Sequence, residues 1–289
     1  MEGILLAFGA MLCWGMGDFF IQRTTRKLGD WEALFFISII GFFVVLPFVV
    51  NDMRSIVSEI SVRDLPVLAI ACVAILIAAI FNFETLKKGK LAIVEPIQSL
   101  EIPTAGILAF FFLQETISFP QFTFVALLMV GLILVSFKGG TFSKKLLLEK
   151  GVRIGIISAI IMGAANFFIG WGARISNPLI INLITDAFMV IGSGIYLIFS
   201  GKVSSLAQDF RNNFSLLIAM GLADKMAWVA FAFAMVLSPM AVAGAISESY
   251  ILIAIVLGVV INKEKIRPHQ AIGLVCAVAA AIILAATIA

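Results

Sequence analysis

Long apolar runs dominate the chain, and only short polar segments separate them. About 20 consecutive apolar residues are needed for a helix to cross a bilayer core of ~30 Å. Runs of this kind lie at 3–25, 31–50, 65–86, 91–113, 119–137, 152–174, 178–200, 213–237, 241–261 and 268–288. Each run is continuously apolar, whereas the strands of a membrane barrel alternate between apolar and polar residues. The pattern predicts an all-α membrane protein with ten transmembrane helices.

Composition strengthens this interpretation. The chain has 289 residues, of which 62% are hydrophobic and 13% are charged. A soluble domain carries ~25% charged residues, and a soluble surface this poor in charge would aggregate. The surplus of apolar side chains is therefore predicted to face lipid. We expect a multi-pass protein of the cell membrane, with the lipid bilayer as its surroundings.

Charged and sulfur-bearing residues exclude several function classes. The net charge of +3 lies in short runs such as Lys87-Lys88 and Lys144-Lys145, not in the broad basic face that nucleic-acid binding needs. The three cysteines lie in apolar runs without C-x-x-C spacing, which argues against a disulfide framework and a zinc site. No segment has the glycine-rich P-loop pattern that binds ATP. We predict no cofactor and no metal.

The two halves of the chain are related by an internal repeat. A polar segment at 141–150 separates residues 1–140 from residues 151–289, and we predict a five-helix repeat in each half. At an offset of 148–149 residues the matching pairs are Gly15 and Gly163, Phe19 and Phe167, Phe20 and Phe168, Arg26 and Arg174, Ala92 and Ala241, Ile97 and Ile246, Leu108 and Leu257, Glu115 and Glu264, Ile117 and Ile266, and Gln121 and Gln270. Because five is odd, the second repeat must enter the membrane in the opposite orientation. Inverted repeats of this kind are typical of transporters, with the site near the midplane between the halves.

The repeat and its polar residues resemble the drug/metabolite transporter superfamily, specifically its ten-helix EamA-like transporters. The residues that match the family pattern at the end of each repeat are Pro103, Glu115 and Gln121 in the first half and Glu264, Gln270 and Gly273 in the second. Phe124 stands where the first half should have glycine, and Leu252 stands near the place of proline in the second. The resemblance covers the whole chain. It implies a secondary transporter of a small metabolite that works by alternating access.

Two arguments about membrane orientation disagree. The basic residues that follow odd-numbered spans are Arg23, Arg26, Lys27, Lys87, Lys88, Lys90, Lys138, Lys144, Lys145, Lys150, Arg153, Lys202, Arg211, Lys263, Lys265 and Arg267. The opposite side has only Arg54, Arg63 and Arg174. The positive-inside rule then predicts that both termini lie outside. The family resemblance implies that both termini lie inside, and the sequence leaves both interpretations open.

Charged and polar residues inside the spans are the candidates for a binding site. One charge at the centre of a span costs ~2.5–3.5 kcal/mol, so several such charges are expected to face one another or a wet cavity. Helical spacing of i, i+4 and i, i+3 aligns them in stripes, as for Trp14 and Asp18. The predicted substrate-binding residues are Trp14, Asp18, Gln98, Glu101, Asn166, Asn182, Asp186, Asp224, Lys225, Trp228, Glu248 and Tyr250. Packing between helices is the alternative for the amides. Lys225 is expected to neutralise Glu101 or Asp18, or to pair with another helix.

Acidic residues outnumber basic ones in this set, which favours a cationic or zwitterionic solute, such as an amino acid or an amine, or coupling to protons. A channel is the first alternative, although no repeated charge ring supports it. An intramembrane aspartyl protease is the second, because Gly15-Met-Gly17-Asp18 has the G-x-G-D form. Neither Asp186 nor Asp224 follows the tyrosine that such enzymes place before their second aspartate. We therefore predict a transporter and not an enzyme.

Overall fold

The structure is a computed structural model that describes residues 1–51, 53, 60–88, 97–136, 150–250, 252–253 and 267–287. Within these ranges the chain forms helices and no strand. The α-helices are α1 (Glu2–Lys27), α2 (Asp30–Val49), α3 (Leu65–Lys88), α4 (Glu101–Leu113), α5 (Phe119–Ser136), α6 (Lys150–Ile175), α7 (Pro178–Phe199), α8 (Val203–Asn212), α9 (Phe214–Leu237), α10 (Met240–Ser247) and α11 (Pro268–Ala286). A 3-10 turn, Glu248–Tyr250, follows α10.

Seven of the described helices are long and apolar enough to cross a membrane, namely α1, α2, α3, α6, α7, α9 and α11. The apolar helices α4 and α5 are shorter. The protein is therefore a multi-pass membrane protein, as predicted. The number of ten spans stays a prediction, because parts of spans four, five and nine lie outside the described residues. The linker at 141–149 and Glu264 also lie outside the described residues.

Helix pairs join the two halves of the chain. α1 packs along α9, α3 along α6, α2 along α7 and α5 along α11. A two-fold relationship between the repeats exchanges the α1–α9 pair with the α3–α6 pair. It maps the α2–α7 pair and the α5–α11 pair each onto itself. The packing of the described helices therefore agrees with the internal repeat seen in the sequence.

The fourth span is interrupted where the apolar pattern predicts a continuous helix over 91–113. A turn at Ser99 and Leu100 separates the preceding residues from α4, which begins at Glu101. Pro103 explains the interruption, since it has no N–H to donate to the carbonyl group of Ser99 and its ring crowds that group. The amide of Ile102 instead donates to the Ser99 carbonyl oxygen at 3.3 Å.

The second repeat has an irregular turn at the corresponding place. α10 ends at Ser247, and the 3-10 turn follows at once. An offset of 149 residues takes Ser99 to Glu248 and Glu101 to Tyr250. Both repeats thus interrupt a regular helix at equivalent positions. Discontinuous helices of this kind line the substrate sites of many transporters.

One helix was not predicted. α8 is a short amphipathic helix between α7 and α9, and none of its residues is fully buried. Its Phe210 ring stacks on Phe36 with ring centroids 5.9 Å apart. The segment falls between two apolar runs and is too short and polar to cross a bilayer, so the apolar pattern predicts a loop there. Its position is typical of a helix that lies in the membrane interface.

Candidate functional site

A cavity lies in the middle of the bundle, between the two repeats. The cavity and its opening to the outside of the molecule together measure about 620 Å³. Its lining residues are Trp14, Asp18, Ile21, Leu34, Ile37, Ile75, Ala79, Asn82, Phe83, Glu101, Met162, Asn166, Met189, Asp224, Trp228, Glu248 and Tyr250. The lining extends from the middle of the bundle toward the ends of α1 and α3. We call that side the basic face, because most lysines and arginines follow the spans that end there.

Eight of the twelve predicted site residues line this cavity: Trp14, Asp18, Glu101, Asn166, Asp224, Trp228, Glu248 and Tyr250. The other four, Gln98, Asn182, Asp186 and Lys225, are buried next to it without lining it. Four of the lining side chains carry carboxyl groups, and none of the described lining residues is a lysine or an arginine. The described wall of the cavity therefore carries carboxyl groups and no basic side chain.

Aromatic rings form one part of the wall. The rings of Trp14 and Trp228 meet edge to face, with centroids 5.1 Å apart, and the Tyr250 ring centroid lies 6.4 Å from that of Trp14. Phe231 packs behind Trp14 at 5.0 Å. Edge-to-face contacts fix the orientation of the indole rings. A tryptophan face beside carboxylates is a favourable surface for an organic cation.

Asp18 is positioned by a close approach of α1 to the interruption in the second repeat. A Cβ atom built on Gly15 would lie 3.3 Å from the carbonyl oxygen of Tyr250 and 3.1 Å from Cβ of Ile253. A methyl group at this position would require a neighbour to shift by a few tenths of an ångström. Three residues further along α1, the carboxylate of Asp18 meets the Tyr250 hydroxyl in a hydrogen bond. We call Gly15, Asp18 and Tyr250 the first half-site.

Asn166 is positioned in the same way by α6. A Cβ atom built on Gly163 would lie 2.7 Å from the carbonyl oxygen of Glu101 and 2.6 Å from Cβ of Thr104. Three residues further along α6, the Nδ2 of Asn166 donates to Glu101 at 3.2 Å and to Glu248 at 2.9 Å. We call Gly163, Asn166, Glu101 and Glu248 the second half-site.

The two half-sites correspond under the repeat. The offset of 148–149 residues takes Gly15 to Gly163, Asp18 to Asn166 and, in the opposite direction along the repeat, Tyr250 to Glu101. Their chemistry differs although their backbone geometry matches. The first half-site pairs a carboxylate with a phenol beside indole rings, and the second joins two carboxyl groups through one amide.

Lys225 does not reach the cavity, contrary to the expectation that it neutralises Glu101 or Asp18. Its ammonium group lies 2.8 Å from Oδ2 of Asp186 and donates to Oδ1 at 2.9 Å, and it also donates to Asn182 at 3.1 Å. Both charged side chains are buried. Gly41 makes room for the pair, since a Cβ atom there would lie 2.5 Å from Cε of Lys225. The alternative interpretation was an ion pair between Lys225 and a residue of another helix, and this is the arrangement found.

Gln98 supports the wall from behind. Its Nε2 donates to Oδ1 of Asn82 at 2.6 Å, and Asn82 is the partner that lines the cavity. Asn82 was not among the predicted site residues, because one amide in an apolar helix is equally typical of packing between helices. The apolar lining residues, such as Ile37, Met162 and Met189, carry no sequence signal that separates them from other buried side chains.

Comparisons with known proteins agree with the fold. The sequence pattern of the EamA-like transporter family matches residues 1–137 and again residues 149–286. An uncharacterized protein of Methanocaldococcus jannaschii is 27% identical over 135 residues, which cover 95% of that protein and 46% of this chain. That relative therefore has about the length of one repeat.

A protein of known crystal structure has the same fold, with a TM-score of 0.74 and 15% sequence identity over 97% of this chain and 95% of its own. The two family matches cover nearly the whole chain, and the described helices pair as two related halves around one cavity. This chain belongs to the EamA-like transporter family.

Proposed function

We propose that the protein is a secondary transporter that carries a small organic cation, such as an amine, through the central cavity by alternating access. The observation that carries the proposal is the wall of that cavity. Four carboxyl-bearing side chains and four aromatic residues face one space, and the nearby lysine forms an ion pair with Asp186. Among the described residues nothing on this wall would balance an anionic substrate.

The arrangement favours a cation over a zwitterion such as an amino acid. A zwitterion needs a positive side chain or several N–H donors for its carboxylate group. Lys225 follows the lining residue Asp224 directly in the sequence, but its ammonium group donates to Asp186 and Asn182 and does not line the cavity. Asp18 and Asp224 are only partly buried and face the cavity, so they are accessible to the charge of a ligand.

The aromatic wall supplies the apolar part of the binding energy. A cation over a tryptophan face gains about 0.5–2 kcal/mol, depending on how far it is desolvated. The Trp14 ring is buried and is held by Trp228 and Phe231, so it needs no reorganisation to accept a ligand. Coupling of the transport to protons is part of the proposal, because carboxyl groups face the same space.

The proposal is tested with purified protein and a panel of choline, ethanolamine, guanidinium, neutral amino acids and sugars. A ligand at about 100 times its Kd raises the free energy of unfolding by about 2.7 kcal/mol. We expect stabilisation by the cations, and loss of that stabilisation in Asp18→Asn. Ser193→Ala is the matched control, since its hydroxyl is buried in α7, bonds only to its own helix and does not line the cavity.

Uptake into proteoliposomes then separates a carrier from a channel. A carrier shows saturation and accelerated exchange when the same solute is present on both sides, whereas flux through a channel shows neither. Stabilisation by sugars or anions with no effect of any cation would overturn the proposed substrate class. Flux without accelerated exchange would overturn the proposal that the protein is a carrier.

A further inference from the structure

The two half-sites share one backbone design but offer different chemistry, which points to two different ligands. The first half-site presents Asp18 next to the indole rings of Trp14 and Trp228, a surface suited to an organic cation. The second half-site presents Glu101 and Glu248 on either side of Asn166 and has no aromatic ring among the three. Two carboxyl groups brought together by one amide donor are suited to a smaller cation.

The carboxyl groups of the second half-site also touch each other. The Glu248 side chain is hydrogen-bonded to Glu101 as well as to Asn166. An ionised carboxylate can only accept hydrogen bonds, so a hydrogen bond between two carboxyl groups requires a proton on one of them. All three residues are at least 92% buried, with 5% of Glu101, 8% of Glu248 and 2% of Asn166 exposed.

Asn166 offers a further acceptor at this place. Its Nδ2 is used by the two carboxyl groups, while its Oδ1 is buried and has no hydrogen-bond partner within the described part of the chain. Asn166 lines the cavity, and its buried Oδ1 is an unfilled acceptor on a residue that also holds the carboxyl pair. A donor that the protein does not supply, such as a hydroxyl or N–H group of a bound solute, would complete it.

We propose that Glu101 and Glu248, held together by Asn166, carry the proton that the transporter exchanges for an organic cation bound at the first half-site. This inference rests on the proposed function. With its proton the carboxyl pair has one negative charge, and without it two. A monovalent cation that enters while the proton leaves to the solution keeps the total charge in the cavity unchanged. Because an uncompensated charge inside the membrane is costly, exchange is favoured over binding of both cations together.

The titration of the Glu101–Glu248 pair must be distinguished from that of the other titratable groups around it. Asp18 faces it from α1, Asp224 from α9 and the Tyr250 hydroxyl from the 3-10 turn. Lys225 and Asp186 lie behind Asp224 and compensate each other. Asn166 is a positioning residue in this scheme, since it acts by holding the carboxyl groups together.

The proton site can be tested without any substrate. Infrared difference spectra of the purified protein, recorded as the pH is changed, report protonated carboxyl groups through their C=O stretching band. We expect a titrating band that both Glu101→Gln and Glu248→Gln abolish, and that Asn166→Leu shifts in position and in midpoint. Ser158→Ala is the matched control, because this buried serine lies two turns earlier on α6 and does not line the cavity. A band that survives in either glutamine variant would overturn the assignment.

The exchange is tested with choline as the probe, because its charge does not depend on pH. Calorimetry in two buffers of different ionisation enthalpy counts the protons released on binding. We expect one proton for each choline in the wild type and none in Glu248→Gln. Choline binding without proton release would overturn the inference and leave the proposed function standing. Proton release that occurs only when sodium replaces potassium in the buffer would do the same. An infrared titration as expected with no binding of any organic cation would overturn the proposed function instead.

Discussion

Arg174, at the end of α6, and Glu115, just beyond α4, form an ion pair of 2.9 Å that joins the second repeat to the first. Arg174 also donates to the carbonyl oxygens of Met235 and Ser238, at 2.8 and 3.1 Å, and Glu115 accepts the backbone N–H of Met240. Glu115 is placed there by Gln114, whose left-handed backbone (φ 54°) ends α4. The bridge lies on the side opposite the basic face, away from the end of the bundle toward which the cavity extends.

Loss of this bridge should open the side opposite the basic face. Glu115→Gln keeps an acceptor for Met240 but removes the charge. Because the pair is partly exposed, we expect a change of about 1 kcal/mol, or about five-fold in the equilibrium between closed and open forms. A cysteine at the buried position Ala7, in a chain without Cys13, Cys72 and Cys276, reports the opening through labelling by a charged maleimide.

The matched control for this experiment is Asp30→Asn, which breaks the ion pair with Lys87 (3.4 Å) on the basic face. It should leave labelling at Ala7 unchanged or reduce it. Equal labelling in Glu115→Gln and in the wild type would show that the bridge does not hold the closed form.

Lys225 and Asp186 should behave as a structural pair. Lys225→Met alone leaves a buried carboxylate without its partner, which typically costs about 3–5 kcal/mol of stability. The double variant Lys225→Met with Asp186→Leu removes both charges, so most of the loss should be recovered. Unfolding in detergent measures both. If the single and double variants are equally unstable, the pair does not act by mutual charge compensation.

The sequence predicts the parts of this fold that lipid dictates. A lipid-facing helix must be about 20 residues long and apolar, so the seven long spans can be found by length alone. Pro103 indicates the break before α4, although the number of apolar residues alone does not reveal the break. The corresponding turn at Glu248–Tyr250 contains no proline, so only the repeat itself indicates it.

The sequence predicts the candidate site to a similar extent. Carboxyl groups inside spans identify Asp18, Glu101 and Glu248 as candidates, because their cost in lipid requires a reason. The partner of Lys225 could not be predicted, since helical spacing gives the direction of a side chain but not the helix that it meets. Gly41, which leaves room for that pair, has no polar group to draw attention to it.

Stability should depend on pH in the alkaline range through Lys202, at the start of α8. The hydrogen bond to Glu32, at 2.6 Å, raises the pKa of Lys202 above its usual 10.5. A raised pKa in the folded state means that the stabilisation is fully present below the unfolded pKa and is lost as the pH rises through the folded value. Melting temperatures of the wild type and Lys202→Met should therefore differ at neutral pH and converge as the pH rises through the raised pKa of Lys202. A difference that grows with pH would contradict this assignment.

The orientation in the membrane should follow the charge bias. The positive-inside rule places the basic face in the cytoplasm, so both termini should lie outside and the cavity should extend toward the cytoplasm. Alkaline phosphatase fused to the C-terminus should be active, and green fluorescent protein fused there should be dark. The same reporters inserted at Gly201, in the loop on the basic face, should give the opposite result and serve as the control. A fluorescent C-terminal fusion would show that the termini are inside.

The glycines of the two half-sites should be more sensitive to substitution than a glycine with open space around its Cα atom. Alanine at Gly163 places a methyl group 2.7 Å from the Glu101 carbonyl oxygen, and alanine at Gly15 places one 3.3 Å from that of Tyr250. Overpacking of this kind typically costs about 1–3 kcal/mol, and the shorter distance predicts the larger loss for Gly163→Ala.

Gly9 on α1 provides the control for both variants, because a Cβ atom there meets nothing within 4 Å. Gly9→Ala should be neutral or should stabilise the helix by up to about 1 kcal/mol. Unfolding and cation binding are measured on all three variants. Gly163→Ala should weaken the proton release on choline binding more than the binding itself, since it displaces Asn166 from the carboxyl pair. If all three variants behave alike, close backbone approach is not what positions the two half-sites.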